Sequence, residues 1–155
     1  MYILEDTRQK SGAHTQLHKG LKEDGVVLYR SKLPFADYCL VPEVGIDTKA
    51  DLLEIANNLC GSQNEQGRVK NEEKLAARLG SKIIFLIEQE GVENMADLIG
   101  MKIVLRSGKE VSGEQLKRAM ENHEHIYGSK FLFCKPSETA KKLEEILRKE
   151  HIMTQ

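Results

Sequence analysis

Hydrophobic and polar positions fall in short blocks whose period switches between two residues and about 3.6. Tyr2–Glu5 predicts a first strand, and Thr15–Asp24 an amphipathic helix with Leu17 and Leu21 inward and Gly25 at its end. The loop between them is expected at Lys10–Gly12, and Val26–Arg30 predicts the next strand. Asp37–Val41 and Val44–Lys49 predict a strand pair, because Tyr38, Leu40 and Val41 favour extended chain and Pro42 and Gly45 mark a turn. Ala50–Leu59 carries an apolar helical stripe of Leu52, Leu53, Ile55, Ala56 and Leu59; after Cys60-Gly61-Ser62 a second helix runs from Asn64 to Leu79. Lys82–Glu88 is an apolar run of the length of a buried strand.

Further on, Met95–Ile99 predicts a helical turn and Met101–Leu105 a short strand. Ser112 followed by Gln115 is a capping pattern that opens a helix reaching Tyr127, which Gly128 ends. Lys130–Cys134 predicts the last strand. A final helix from Pro136-Ser137 to about Glu150 buries Ala140, Leu143, Ile146 and Leu147. This alternation predicts an α/β fold in one domain, a mixed central sheet flanked by helices.

Composition narrows the function classes. The 155 residues suit a single core, and 23 Lys and Arg against 24 Asp and Glu leave the charge near zero, so a nucleic-acid partner would meet a local basic patch. The longest purely apolar run, Ile83–Ile87, is too short to cross a bilayer and no signal peptide precedes Tyr2, which points to the cytoplasm and away from a membrane. Cys39, Cys60 and Cys134 show no paired spacing and read as reduced thiols. His14 and His18, four apart on a helix, have the spacing of a zinc pair, but no third ligand follows and they read as a solvated face; His123 and His125 read as surface residues. Ser107-Gly108-Lys109 lacks the frame of a phosphate-binding loop, which removes the support for a nucleotide-binding regulator.

The candidate chemistry lies in the central strand pair. Asp37, Asp47 and Lys49 fall within thirteen residues, and alternation along a strand puts Asp47 and Lys49 on one face. The loop length leaves open whether Asp37 lies opposite Asp47 or one diagonal away. Two carboxylates on one face repel each other, and a divalent cation relieves that repulsion; oxygen-only ligation suits Mg²⁺ or Mn²⁺. A lysine beside them can contact an attacking water and a phosphate oxygen. The same spacing also describes a surface hairpin held by an Asp47–Lys49 salt bridge.

Taken in order, Ile3-Leu4-Glu5-Asp6-Thr7-Arg8-Gln9, Ala36-Asp37-Tyr38, Ile46-Asp47-Thr48-Lys49, and Arg68 ahead of Lys82-Ile83-Ile84-Phe85-Leu86-Ile87-Glu88 resemble the motifs of an ERCC4-type nuclease domain. That is the XPF/Mus81-like branch of the PD-(D/E)xK superfamily. The resemblance covers residues 2 to 88. Gln9 stands for the usual Glu, Ala36 for Gly, Asp47 for Glu and Thr48 for Arg, and Asp51 lies two residues past Lys49 where the family has its last Asp four on. These departures fit a distant stand-alone version of bacterial or phage origin.

The resemblance implies a restriction-endonuclease-like fold and an Mg²⁺- or Mn²⁺-dependent DNA endonuclease, selective for flap, fork or junction DNA in repair, recombination or phage DNA processing. It implies metal ligation by Asp37, Asp47 and the Thr48 carbonyl with support from Asp6, water activation by Lys49, and phosphate contacts from Arg8 and Arg68. Dimers are a habit of that family. The family's tandem helix-hairpin-helix module has no counterpart in the sequence, whose C-terminal part, residues 112–150, reads helix–strand–helix. Arg68 reads equally as part of a solvated helix face. Because some such domains have lost their catalytic set, the alternative is an inactive DNA- or partner-binding module on the same fold.

Overall fold

The chain runs β1 (Tyr2–Asp6), α1 (Thr15–Glu23), β2 (Val27–Ser31), β3 (Tyr38–Leu40), β4 (Val44–Lys49), α2 (Leu52–Cys60), α3 (Gln63–Arg78) and β5 (Lys82–Glu88). It continues through a 3₁₀ turn (Met95–Leu98), β6 (Lys102–Val104), β7 (Glu110–Ser112), α4 (Gly113–Tyr127), β8 (Lys130–Cys134), a second 3₁₀ turn (Pro136–Glu138) and α5 (Thr139–Met153). This is a computed structural model that describes residues 2–10, 12, 14–40 and 44–153. The expected positions of Val41 and Pro42 in the strand pair, and of Ser11 in the first loop, lie outside the described residues.

Six strands form one mixed sheet in the order β2-β1-β3-β4-β5-β8. β1 and β2 are parallel, β3 is antiparallel to both β1 and β4, and β4, β5 and β8 run parallel. Alternation along β5 divides the core. Ile83, Phe85 and Ile87 pack with Leu52 and Ile55 of α2, Val69 of α3 and Leu116 of α4. Ile84 and Leu86 pack with Leu17 and Leu21 of α1 and Leu143 and Leu147 of α5. Because β8 pairs with β5, the C-terminal part shares one sheet with the motif-bearing strands.

Capping explains most of the helix starts. Asp51 accepts from the Glu54 N–H at 2.7 Å, and the Glu54 carboxylate reaches back to the Ala50 N–H at 2.8 Å. Ser62 with Glu65, and Ser112 with Gln115, form reciprocal capping boxes, the second as the sequence predicts.

Three expectations need correction. Residues 101–112 hold two strands rather than one: β6 and β7 pair as a separate hairpin whose turn contains Gly108 at φ 86°. Three-residue strands carry too little alternation to be read from sequence. His123 is buried, not a surface residue. It continues the inward stripe of Leu116 and Met120, and its Nδ1 lies 2.7 Å from the Glu73 carboxylate, which also accepts from the Ser129 hydroxyl at 2.6 Å. Burying Glu73 on the inner face of α3 requires such partners, and they tie α3 to α4 and to the start of β8. His18 is half-buried rather than solvated, with Nε2 3.0 Å from the buried Glu5 carboxylate and 3.3 Å from the Tyr38 hydroxyl.

Candidate functional site

The β3–β4 register pairs Tyr38 with Ile46 and Leu40 with Val44, so carrying it one residue further sets Asp37 against Asp47. The backbone of Asp37 is held on both sides: its N–H donates to the Ile46 carbonyl at 3.1 Å and its carbonyl accepts from the Asp6 N–H at 2.7 Å. Its Oδ2 accepts from both the backbone N–H (3.0 Å) and the hydroxyl (3.1 Å) of Thr48. The preceding residue, Ala36, has φ 60°, a left-handed conformation that suits glycine, the residue the resemblance expects there. Gly45 completes the arrangement. A Cβ on it would meet the Phe35 ring at 2.5 Å, so only glycine lets the segment before β3 lie flat on β4.

Asp47 and Lys49 share a face, as alternation requires, but that face is not a surface. Asp47 is 7% exposed and Lys49 4%, and the Lys49 ammonium lies 2.9 Å from Asp47 Oδ1 and 3.8 Å from Glu54 Oε1, over the Phe85 ring. A surface hairpin with a solvated ion pair is therefore ruled out. Burial pushes the Asp47 carboxyl up to about 7; Lys49 opposes the shift and the neighbouring Asp37 adds to it. At Asp6 burial also raises the carboxyl, but the bonds from the Arg8 side chain and N–H outweigh it and hold it below the usual range. Arg8 also donates to the Leu33 carbonyl at 3.0 Å.

All seven residues singled out in the sequence line one open pocket of about 740 Å³: Asp6, Arg8, Asp37, Asp47, Thr48, Lys49 and Arg68. It lies at the C-terminal ends of β1, β4 and β5, the end of a parallel arrangement where ligands commonly bind. Arg68 reaches it from α3 with its guanidinium 3.5 Å from Glu72. Sequence reasoning gave no role to Glu54, Glu72, Gln9, Lys10 or His14, which line the same pocket; Glu88, noted only as the end of its strand, lines it too. Glu72 had a signal, lying one helical turn beyond Arg68; the signal that could have pointed to Glu54 is its place three residues after Asp51, the spacing of a helix cap.

The lining holds six carboxylates, Asp6, Asp37, Asp47, Glu54, Glu72 and Glu88, against four cations, Arg8, Lys10, Lys49 and Arg68. Such a lining repels a bare phosphodiester and favours a cation. Among the described residues no three His, Cys, Asp or Glu side chains converge as a metal-binding group. Asp37 and Asp47 with a backbone carbonyl are a small, hard, oxygen-only donor set, which fits Mg²⁺ or Mn²⁺ because these ions keep several waters.

The architecture is a mixed six-stranded sheet flanked by helices, the α/β class the sequence predicts, and two solved XPF structures share this fold. XPF from Aeropyrum pernix in complex with DNA matches with a TM-score of 0.66 and 18% identity over 97% of this chain and 64% of that one. XPF from the same organism matches with 0.67 and 19% over 97% and 65%. This chain thus spans just under two thirds of the length of those proteins. No family model and no curated protein matches the sequence. No helix among the described residues is long and apolar enough to cross a membrane.

Proposed function

We propose that the protein is a divalent-metal-dependent DNA endonuclease, selective for branched DNA, in which Asp37, Asp47 and the Thr48 carbonyl hold Mg²⁺ or Mn²⁺. The observation that carries this reading is the convergence of seven motif residues, spread from position 6 to position 68, on one acidic pocket with Asp47 and Lys49 buried at its floor. When bound, the metal would offset charge on the phosphodiester and acidify an attacking water. The chain's own groups do the rest. Thr48 fixes the Asp37 carboxylate through two hydrogen bonds. Lys49, held between Asp47 and Glu54, presents one ammonium to the water and to a phosphate oxygen. Arg8 and Arg68, each more than half exposed, grip neighbouring phosphates at the rim. DNA is the substrate in this reading because the matched XPF structure is a DNA complex and the motifs resemble those of DNA nucleases. Single-turnover assays with Mg²⁺ or Mn²⁺ on flap, fork, junction and linear DNA test it, and no cleavage of any of them would end it.

One observation favours the inactive binding module. Asp47 is already paired with Lys49 and Asp6 with Arg8, which lowers the charge left for a metal. The two readings separate on metal affinity and its pH dependence. Asp47 has a higher pKa folded (about 7) than unfolded (about 3.8), so its proton competes with the metal. Mg²⁺ affinity in calorimetric titrations should rise as pH increases towards about 7 and level off above it. The same shift makes the metal-free fold lose stability as pH rises from about 4 to 7, a loss complete above the folded pKa and on the order of a few kcal/mol. Chemical denaturation at pH 5 and pH 8 would show it, and Mg²⁺ should restore most at pH 8. A pH-independent Mg²⁺ affinity would remove Asp47 from the metal.

Arg8→Ala and Arg68→Ala should each weaken DNA binding and reduce its log–log salt slope by about one unit or less. Arg8→Ala also frees the Asp6 carboxylate it neutralises. Anisotropy with labelled forked DNA over a salt series measures both, and slopes equal to wild type would place these arginines off the DNA.

A further inference from the structure

A second groove of about 660 Å³ opens from the candidate site along α3 and shares Arg8, Arg68 and Glu72 with it. Its wall is built from Gln63, Asn64, Gly67, Arg68 and Asn71, which recur at the spacing of one helical face. The side chains of Gln63, Asn64 and Asn71 are exposed and form no hydrogen bond with any described residue. No aromatic side chain lines the groove, so nothing there stacks a base. Amides and guanidinium groups instead offer N–H donors to phosphate oxygens.

Gly67 sits at the middle of this wall, inside a sixteen-residue helix. A glycine there lowers helix stability relative to alanine. The fold gives no reason for it: its φ is not in the left-handed region, and a Cβ built on it meets nothing within 4 Å. What Gly67 does provide is the absence of a side chain where the groove leaves the site.

We propose that this face of α3 is a sequence-independent track for the sugar-phosphate backbone of the substrate strand on one side of the scissile phosphate, with Gly67 keeping it open. Asn64 and Asn71 donate to phosphates beyond those held by Arg8 and Arg68. The proposal rests on the nuclease reading, since it presumes a DNA strand at the site.

The test uses Gly67→Leu and Gly67→Ala. Gly67→Ala should melt at or above the wild-type temperature, because a Cβ there meets nothing within 4 Å, and Gly67→Leu should melt no lower than wild type, because leucine too is a far better helix former than glycine. In Ca²⁺, with labelled forked DNA in anisotropy, Gly67→Leu should bind at least ten-fold more weakly than wild type, and Gly67→Ala should lose less. The loss should be the same for forks of unrelated sequence. Binding by Gly67→Leu within two-fold of wild type overturns the track and leaves the nuclease reading standing. Failure of the wild-type protein to bind any DNA overturns both. Should Gly67→Leu fail to fold, the double variant Asn64→Ala, Asn71→Ala decides: a loss of several-fold supports the track, and unchanged affinity overturns it.

Discussion

Asp37→Asn and Asp47→Asn are each expected to reduce metal-dependent DNA cleavage by about 10³-fold or more while leaving the fold in place. Each removes a charged oxygen from the proposed donor set, which has only two carboxylates to begin with. The two variants differ in what they leave behind. At position 37 the amide oxygen can still accept from the Thr48 N–H and hydroxyl, so the strand end stays where it is and the melting temperature should match wild type. At position 47 the change relieves the cost of burying a charge but leaves Lys49 with Glu54, 3.8 Å away, as its remaining anionic partner. Its stability gain at pH 8 should therefore be smaller than the pKa shift alone suggests. Both should lose Mg²⁺ affinity by calorimetry, and only Asp47→Asn should lose the pH dependence as well. If both variants bound Mg²⁺ like wild type, the metal assignment would be wrong.

The sequence revealed the strand that lines the pocket floor better than the elements that surround it. β4 and β5 were legible to the residue, because Val44–Lys49 and Lys82–Glu88 combine β-branched residues with clear breakers on either side. The pairing of Asp37 with Asp47 was not legible. It depends on the turn between the strands, and one residue more or less would carry Asp37 to the opposite face. Nor could alternation tell that Asp47 and Lys49 are buried, since it fixes which residues share a face and not what covers that face. That depth depends on α2 and α3 covering the sheet. The same limit hid Glu73 and His123, two polar residues on inward stripes, each of which reads as surface until the other is placed beside it. The groove glycine was visible as a residue but carried no meaning, because its significance lies in the empty space beside it.

Lys49 separates an enzyme from a binding module. Its ammonium is buried, is not a metal ligand, and lies 2.9 Å from Asp47. If its work is to place the attacking water and to stabilise charge that grows on the phosphate, that work is done in the transition state. Lys49→Met keeps the length and apolar stem that pack over Phe85 while removing the charge. Cleavage should then fall about 10²-fold or more, with little change in DNA affinity, because one lysine is a small share of the phosphate contacts. The variant has a second signature. Lys49 is the chief influence holding the Asp47 carboxyl down, so without it burial and Asp37 act unopposed and the carboxyl rises further. Mg²⁺ affinity should therefore weaken near neutral pH, where the proton now competes better. At high pH, with Asp47 ionised and no ammonium to repel the ion, it should strengthen. Single-turnover cleavage of branched DNA, binding in Ca²⁺, and Mg²⁺ titrations at pH 7 and pH 9 cover these points. A wild-type enzyme that cuts, with Lys49→Met cutting within three-fold of it, would leave the nuclease and remove Lys49 from its chemistry. A wild-type protein that binds DNA but cuts none with either metal would make the pocket a binding site, with the Asp47–Lys49 pair as part of its scaffold.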